Sequence, residues 1–343
     1  MERYFRINRK RHNNTNYKIR SMRLVHLLFI LTLCFSCKAE QKEVKKESNQ
    51  ANEIIAKIVN DVSLESGTLE RVENFPTQFI KPRHVDVWLP EGYSKEKKYA
   101  VLYMHDGQML FDETTTWNKQ EWEVDEVASK LMKEGKTRDF IVVAMWNISE
   151  IRWQDYYPEK TWNFIPKEDQ DKLLIEGKKT REDILFHSDN YLKFIVDELK
   201  PYIDENYSVY KNRENTFVAG SSMGGLISMY AMFEYPEVFG GAACISTHWC
   251  GAAPRENNPM TKAFFDYMRS KPSYSEDQKF YFDYGTKTLD QYYPQYADEV
   301  DAIFAEKGFN DSNYKNLKFE GDAHDELSWA KRLDIPLTFL LGK

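Results

Sequence analysis

Strand-like and helix-like runs alternate along most of this chain, and that alternation limits its fold more than any other feature of the sequence. The strand-like runs are short, rich in apolar residues and bounded by turn residues or charges. They cover Arg83–Leu89, Tyr99–Met104, Phe140–Trp146, Asn215–Ala219, Gly241–Ile245, Lys279–Asp283 and Leu317–Phe319. The run at 140–146 is continuously apolar, as expected of a strand that is covered on both faces.

Segments with apolar residues at helical spacing lie between these runs. They cover Trp122–Lys133, Asn190–Ile203, Gly224–Phe233, Tyr296–Lys307 and the last twenty residues. Strands separated by helices form a mostly parallel sheet flanked by helices on both faces, so we predict the α/β class. Ligands of such sheets bind beyond the carboxyl ends of the strands, and polar motifs at those ends are therefore the first candidates for a site.

The charge of the chain is divided unevenly between its N-terminus and its body. Of the 343 residues, 42% are apolar and 29% are charged, a composition that buries a core. Residues 1–37 hold eight Lys or Arg and one Glu, so the remaining 306 residues hold 39 Lys or Arg against 53 Asp or Glu, a formal charge of −14. Phosphate backbones repel so acidic a body, which argues against a nucleic-acid partner. After residue 37 no apolar run approaches the roughly 20 residues of a membrane-spanning helix.

The N-terminal segment is similar to an export signal of the bacterial lipoprotein type. Leu24–Ser36 is an apolar run behind basic residues and is too short to span a bilayer comfortably. It ends at Ser36 and Cys37, and in lipoprotein signals a small residue precedes the cysteine that becomes lipidated. We therefore expect residues 1–37 to be a lipoprotein-type signal, with Met22 as an alternative start, and the protein to reside in the bacterial cell envelope, periplasmic or on the outer membrane.

One position departs from that pattern. Lipoprotein signals usually have leucine three residues before the lipidated cysteine, whereas here Cys34 stands there and Leu33 lies one residue further back. An ordinary cleaved signal, followed by secretion, remains the alternative. Residues 38–65 are predicted to be a charged linker and residues 66–343 one domain. Cys244 and Cys250 either pair in an oxidising envelope or remain buried thiols, and the sequence leaves this open.

The motif Gly220-Ser-Ser222-Met-Gly224 contains the pattern G-x-S-x-G. An apolar strand leads into it and a helix leads out, which is the context of a nucleophile elbow. In such an elbow a tight, strained turn raises the serine hydroxyl above the sheet, and the flanking glycines avoid collisions with neighbouring elements. The N-terminus of the helix adds free N–H groups beside the serine. Ser222 is therefore the candidate nucleophile.

A serine nucleophile needs a histidine base and a carboxylate, which follow the elbow in the order acid, then histidine. His324 lies between the last strand and the last helix, where the base is expected. His248 directly follows the strand after the elbow and is the rival base, or a residue lining the pocket. Asp290 lies past the strand that ends near residue 283 and is the preferred acid, since it would orient the histidine and stabilise its charged form. Asp283 is the alternative.

Four motifs together resemble the putative esterase family (esterase D or enterochelin-esterase-like) of the α/β-hydrolases, which includes the feruloyl and acetyl-xylan esterases of carbohydrate esterase family one. The motifs are Tyr103-Met-His-Asp106-Gly107-Gln108, Gly220-Ser-Ser-Met-Gly-Gly225, Asp283-Tyr-Gly-Thr with Asp290, and Gly321-Asp-Ala-His324. The resemblance implies the α/β-hydrolase fold over roughly residues 70–343. It also implies an oxyanion hole made by the backbone N–H groups of Gln108 and Met223.

The segment Asn147–Phe186 is long for a connection and rich in aromatic residues, which is typical of a lid or pocket wall. Within it Arg152 either meets a substrate carboxylate or hydroxyl, or forms a structural salt bridge. Trp153, together with His248 and Trp249 after a later strand, completes the candidate substrate-binding residues. Asp and His are not grouped at metal-ligand spacing, so we expect neither a metal nor another cofactor.

The interpretation that unites these features is a secreted or envelope-anchored serine esterase. It would hydrolyse a carboxylic ester through an acyl-enzyme, on acylated plant polysaccharide or its fragments. The partner would be a small-molecule or oligosaccharide ester, with the membrane contacted only through a lipid on Cys37. One alternative is a siderophore ester hydrolase. Another is a non-catalytic, glycan-binding lipoprotein, which an intact Ser-acid-His set argues against, because a binding protein does not need all three.

Overall fold

A single nine-stranded sheet organises the part of the chain that the structure describes. The structure is a computed structural model, and it describes residues 54–183, 185–272 and 277–343. The strands are β1 (Lys57–Ile58), β2 (Thr68–Phe75), β3 (Arg83–Leu89), β4 (Ala100–His105), β5 (Phe140–Met145), β6 (Thr216–Ser221), β7 (Gly241–Ile245), β8 (Lys279–Tyr284) and β9 (Tyr314–Lys318). Their order across the sheet is β1-β2-β3-β5-β4-β6-β7-β8-β9.

The sheet is mostly parallel, as predicted. The first three strands join it antiparallel, and β5, β4, β6, β7, β8 and β9 run parallel to one another. The α-helices are α1 (Val124–Lys133), α2 (Arg152–Tyr156), α3 (Lys167–Glu176), α4 (Ser188–Lys193), α5 (Lys200–Asn206), α6 (Met223–Glu234), α7 (Pro259–Ser270), α8 (Ala297–Glu306), α9 (Glu326–Ala330) and α10 (Asp334–Leu341). A π-helical turn over Phe194–Leu199 joins α4 to α5.

The central strands are apolar throughout because each side of the sheet has its own core. In β4, Val101 and Tyr103 belong to one cluster of buried residues, whereas Leu102 and Met104 belong to the other. Successive side chains of a strand point to opposite faces, so an apolar run with no polar alternation supplies both cores at once. Residues of α6 and α7 cover the first face, and residues of α1 and α10 cover the second.

Several regions differ from the elements that the sequence predicts, and α3 and α7 lie where it predicts no helix. The segment 68–75 forms β2, in which the buried residues Leu69, Val72 and Phe75 are three positions apart. A bulge lies between Val72 and Phe75, so the segment lacks the alternation by which a half-buried strand is recognised. The last twenty residues form two helices, α9 and α10, instead of one, because residues 331–333 make a turn between them. The predicted strands at 83–89 and 241–245 coincide with β3 and β7.

The segment assigned to the linker is described from Ile54 onward and contributes to the domain. Its residues 57–58 form β1, which pairs antiparallel with β2 at the edge of the sheet. Val62 and Leu64 pack against the core on the face covered by α1 and α10. Within the described residues, no helix is long and apolar enough to cross a membrane. Met22, Cys34 and Cys37 lie outside the described residues.

Candidate active site

The turn after β6 has the geometry of a nucleophile elbow. Ser222 lies between the last residue of β6 and the first residue of α6, with φ 57° and ψ −120°. This is a strained backbone conformation for a residue with a side chain. A Cβ on Gly220 would lie 2.9 Å from the backbone carbon and oxygen of Gly224, so neither the turn nor the start of the helix leaves room for larger residues. The two glycines let the chain reverse and present Ser222 at the carboxyl end of the sheet.

A second tight turn follows β4, the strand next to β6. Asp106 adopts a left-handed conformation with φ 59°, and residues 107–109 form a 3₁₀ turn. A Cβ on Gly107 would lie 2.6 Å from the backbone carbon of Ala144, so this turn sits directly on β5. A Cβ on Gly224 would come 3.3 Å from the Asp106 carboxylate, which shows that the turn also lies against the start of α6.

The predicted oxyanion donors therefore come from neighbouring elements. Gln108 is in the first turn of the 3₁₀ segment after β4, and Met223 is the first residue of α6. N–H groups in the first turn of a helix have no acceptor in the preceding turn, which leaves them for a ligand. The Gln108 side chain points elsewhere, since its Oε1 accepts a hydrogen bond from the backbone N–H of Asn147 at 3.1 Å.

Arg152 holds the turn after β4 in place. Its Nε and Nη2 each donate to a different oxygen of the Asp106 carboxylate at 2.7 Å, and Asn147 Nδ2 donates to the same carboxylate at 2.7 Å. Burial by itself raises the pKa of Asp106, but the guanidinium and the amide outweigh it and hold the pKa below its ordinary value. Of the two roles open to Arg152 from the sequence, the structure has the salt bridge, because the carboxylate takes two of its donor groups.

His324 is hydrogen-bonded to Asp290, the preferred acid. The distance from His324 Nδ1 to Asp290 Oδ1 is 2.5 Å. The other oxygen, Oδ2, accepts from the Ser246 hydroxyl and from the Gly285 backbone N–H, both at 2.6 Å. Burial by itself raises the pKa of Asp290. The hydrogen bonds from His324, Ser246 and Gly285 together have the larger effect, so the pKa lies below its ordinary value. An ionised Asp290 accepts a hydrogen bond from Nδ1–H of His324, which leaves the lone pair of the imidazole on Nε2.

The two loops that carry this pair are hydrogen-bonded to each other. The backbone N–H groups of Thr286 and Lys287 both donate to the Asp322 carbonyl at 2.9 Å. The His324 backbone N–H donates to Thr288 Oγ1 at 2.8 Å. Hydrogen bonds therefore join the chain after β8 to the chain after β9, although 34 residues separate Asp290 from His324.

Asp283, the alternative acid, is engaged elsewhere. It is buried and accepts hydrogen bonds from Arg332 Nε at 3.1 Å and Nη2 at 3.0 Å, from the Tyr281 hydroxyl and from the Ser246 backbone N–H. Burial raises the pKa of Asp283, and the Arg332 guanidinium opposes that effect. The structure thus places Asp290 against the histidine and Asp283 against an arginine behind it.

Ser246 connects these two carboxylates, and sequence reasoning did not identify it. Its hydroxyl oxygen accepts from Arg332 Nη2 at 2.9 Å and from Trp329 Nε1 at 3.0 Å. A hydroxyl has two lone pairs and one proton, so once both lone pairs are occupied the proton is directed at Asp290. Its place at the carboxyl end of β7, next to the elbow strand, is the signal in the sequence that could have found it.

His248, the rival base, is fully occupied. Its Nδ1 accepts from the Tyr293 hydroxyl at 2.8 Å, and its Nε2 donates to the Ala252 carbonyl at 3.0 Å. Burial, with a smaller contribution from His324, lowers the pKa of His248 to about 4, so the ring is neutral near pH 7. Its backbone N–H donates to the Ser222 carbonyl at 3.1 Å. The Tyr293 ring packs edge-on against both histidines and fills the space between them.

Comparisons with known proteins identify the family. The sequence profile of the family described as putative esterase matches residues 77–340. The chain belongs to the putative esterase family. This membership confirms the resemblance and the fold predicted from the sequence, and it assigns the chain to the carboxylic ester hydrolases.

Individual relatives of this esterase are distant. An endo-1,4-beta-xylanase/feruloyl esterase from Xylanibacter ruminicola is 27% identical over 179 residues, which is 51% of this chain and 21% of that protein. The chain thus spans about a fifth of that relative's length. A ferulic acid esterase from Anaeromyces mucronatus in complex with ferulic acid superposes with a TM-score of 0.52 at 20% identity, covering 82% of this chain and 94% of that one. An enterobactin esterase from Shigella flexneri superposes with a TM-score of 0.54 at 17% identity, covering 84% of this chain and 59% of that one.

The two aromatic candidates of this esterase, Trp153 and Trp249, have different surroundings. Trp153 Nε1 donates to the Gly251 carbonyl at 2.8 Å, and its ring packs against Tyr157 and Phe186. The lid segment is thereby attached to the loop after β7. Trp249 is buried between aromatic side chains of α7 and β8, so its ring is part of the core and is not available to a substrate. Cys244 and Cys250 are buried free thiols.

Sequence reasoning also missed one group of carboxylates. Glu121, Asp125 and Glu126 each place an oxygen within 4.8 Å of the other two, and in the described part of the chain they form the one such group of potential metal ligands. Burial raises the pKa of Glu121 and of Glu126 to about 7, and it raises the pKa of Asp125 as well. Near neutral pH Glu121 and Glu126 are therefore partly protonated, so the three residues together do not present a full set of negative charges.

We predict that Arg332→Met destabilises the protein. It leaves the Asp283 carboxylate buried and unpaired, which lowers the free energy of unfolding by about 3–5 kcal/mol. Denaturant unfolding monitored by tryptophan fluorescence measures the change. The control is the double variant Arg332→Met/Asp283→Leu, which also removes the unpaired Asp283 carboxylate. It should recover most of the lost free energy of unfolding. A double variant no more stable than the single one would contradict the importance of this ion pair.

Proposed function

We propose that this member of the esterase family is a serine esterase whose triad is Ser222, His324 and Asp290. The observation that carries the proposal is the hydrogen bond of 2.5 Å between His324 and a buried, ionised Asp290 at the same end of the sheet as the Ser222 elbow. Contacts link the two. The Ser222 carbonyl accepts from the His248 backbone, and the His248 ring is hydrogen-bonded to Tyr293, which packs on His324.

In the proposed mechanism, the Ser222 hydroxyl attacks the ester carbonyl carbon while His324 Nε2 accepts its proton. The oxygen of the tetrahedral intermediate becomes negative and accepts hydrogen bonds from the N–H groups of Gln108 and Met223. His324 then gives its proton to the departing alcohol, and the acyl group stays on Ser222. Water attacks this acyl-enzyme while His324 again accepts a proton. His324 then returns that proton to the Ser222 oxygen as the carboxylic acid leaves, which restores the starting state.

We propose acylated plant polysaccharide, or fragments of it, as the substrate. The support is the relative from Xylanibacter ruminicola, whose name includes feruloyl esterase, together with the aromatic segment around Trp153, which is hydrogen-bonded to the loop after β7. A panel of four esters tests the choice: an acetylated xylan fragment, a feruloylated arabinoxylan fragment, an aryl acetate and enterobactin. Preference for enterobactin would favour the siderophore alternative. Hydrolysis of none, with glycan binding retained, would favour the non-catalytic alternative.

We also propose that the protein is an envelope lipoprotein acylated at Cys37. The support is the sequence alone: the apolar run Leu24–Ser36 and the small residue before Cys37. Each buried CH₂ of an acyl chain contributes roughly 0.8 kcal/mol to membrane binding, so a terminus with several chains stays bound. The charged residues after Cys37 would let the acidic domain stand away from the membrane surface.

The nucleophile is tested with a fluorophosphonate probe. Wild-type protein should be labelled at Ser222, and Ser222→Ala should remain folded but unlabelled, because the probe reacts only with an activated serine. Mass spectrometry of the labelled peptide locates the adduct, and circular dichroism checks the fold. Ser221, which is adjacent and buried, is the internal control. An adduct on Ser221, or an active protein that takes up no probe, would refute the assignment.

The acid is tested by making the same Asp→Asn substitution at Asp290 and at Asp283 and comparing the two variants. Asp290→Asn should lower kcat roughly 10⁴-fold, because a neutral amide can hold His324 in the wrong tautomer. Asp283→Asn should lower stability, since it removes the partner of Arg332, while kcat changes less than about tenfold at a temperature where the variant is folded. Steady-state kinetics with one aryl ester measure both. A large loss of kcat confined to Asp283→Asn would reverse the two roles.

The anchor is tested by fractionating cells that express the full chain. Cys37→Ser should block acylation and move the protein from the membrane fraction to the soluble fraction, or leave it unprocessed, with the esterase activity of the folded domain retained. Cys34→Ser is the matched control and should leave the distribution unchanged. An unmodified mature N-terminus downstream of Cys37 in the native protein would replace the lipoprotein assignment with ordinary secretion.

A further inference from the structure

One aromatic side chain near the site is left in solvent. Of the large apolar side chains that the structure describes, Trp117 is the most exposed, at 84%. It lies on the loop between the turn after β4 and α1, and the loop is otherwise well anchored, with Phe111 and Trp122 buried at its two ends. A tryptophan held so openly on an anchored loop is available to a ligand.

Hydrogen bonds within the loop hold the backbone on both sides of Trp117. On the N-terminal side, the Thr116 hydroxyl donates to the Glu113 carbonyl at 2.9 Å. On the C-terminal side, the Gln120 backbone N–H donates to Thr116 Oγ1 at 3.1 Å and to Asn118 Oδ1 at 3.2 Å. These bonds close the loop across the tryptophan, so a ligand that stacks on the ring does not have to order the backbone first.

Two contacts bring this loop beside the candidate base. Asn118 Nδ2 donates to Glu326 Oε2 at 2.8 Å, and Glu326 is two residues after His324. The Trp122 ring packs against Trp329, whose ring packs edge-on against His324 at 5.1 Å between centroids.

The same loop is joined to the oxyanion side. The Trp122 backbone N–H donates to the carbonyl of Met109, the residue after Gln108, at 3.1 Å. Trp117 therefore belongs to the rim of the site.

The mechanism decides which half of the ester this rim meets. His324 gives its proton to the departing alcohol, so the alcohol oxygen must lie within hydrogen-bond reach of the imidazole. The residues that flank His324 thus flank the alcohol half of the substrate. A bulky alcohol that extends over the start of α9 meets Glu326 and Asn118, and then the ring of Trp117.

We infer that Trp117, Asn118 and Glu326 form a subsite for a sugar ring of the alcohol half of the substrate. The indole face covers the C–H face of the sugar, while the amide and the carboxyl group hydrogen-bond to its hydroxyls. Polar side chains, those of Asn118, Lys119 and Gln120, follow Trp117 in the chain, which suits a hydroxylated ring better than an apolar partner. The inference rests on the proposed function, because it takes the position of the alcohol from the proposed role of His324.

Two feruloyl esters with the same acyl group and different alcohols test the subsite: methyl ferulate and a feruloylated arabino-xylo-oligosaccharide. The measured quantity is the ratio of kcat/KM for the oligosaccharide ester to kcat/KM for the methyl ester. Trp117→Ala should lower this ratio about tenfold, chiefly through a higher KM for the oligosaccharide ester. Trp117→Phe, which keeps an aromatic face, should restore most of it.

The matched control is Tyr210→Ala. Tyr210 is also an exposed aromatic residue, but its backbone N–H donates to the carbonyl of Tyr99, which lies at the opposite end of β4 from the site. Removing the Tyr210 side chain should therefore leave the ratio unchanged. An equal ratio in wild type and Trp117→Ala would overturn the subsite.

A binding measurement separates this inference from the proposed function. Calorimetry with the unesterified arabino-xylo-oligosaccharide needs no hydrolysis, and Trp117→Ala should weaken binding about tenfold. If wild type hydrolyses neither ester but binds the sugar through Trp117, the proposed function fails, and sugar binding at Trp117 stands without its assignment to the alcohol half of an ester. If wild type hydrolyses both esters and Trp117→Ala changes neither the ratio nor the sugar binding, the subsite fails and the proposed function stands.

Discussion

Arg332 ties three separate parts of the chain together behind the histidine. Its guanidinium donates to Asp283 at the end of β8, to Asp322 in the loop before His324, and to the Ser246 hydroxyl after β7. A buried guanidinium with five donors in a fixed plane can satisfy several acceptors at once, which an ammonium group cannot do with the same geometry. The loops that carry the candidate acid and base are thus arranged around a single cation.

This cation also determines how the Asp290 carboxylate is held. Because Arg332 and Trp329 occupy the lone pairs of the Ser246 hydroxyl, the serine is a donor toward Asp290. Asp290 remains ionised in a buried position as a result of that bond, the Gly285 N–H and His324. Arg332 does not pair with Asp290 directly, because the Ser246 hydroxyl lies between them. Asp290 Oδ1 therefore remains available to accept a hydrogen bond from His324.

The sequence predicted those parts of the fold that local patterns specify. The run at 241–245 became β7 because a strand buried on both faces has no polar positions to obscure its pattern. The run at 83–89 became β3 because Val85, Val87 and Leu89 alternate with other residues at the period of a strand. By contrast, β1 is two residues long and β2 is bulged and half exposed, so pairing with a neighbour defines these strands more than their own residues do. The irregular end of the chain, where α9 and α10 divide, is likewise set by packing.

The candidate site divides in the same way. The elbow, the turn after β4 and the pairing of Asp290 with His324 could be predicted, because each depends on a short motif or on the order of strand ends. The pairing of Asp283 with Arg332 could not, because 49 residues separate the partners and no spacing rule links them. The choice between two roles for Arg152 likewise needed the position of Asp106, which only the folded chain supplies.

The salt bridge between Arg152 and Asp106 has a consequence for how this esterase can diversify. Arg152 belongs to the segment that walls the site, and Asp106 shapes the turn that carries a proposed oxyanion donor. Substitutions in the segment near Arg152 therefore also affect the turn after β4. This limits how far that part of the segment can change to accept new substrates.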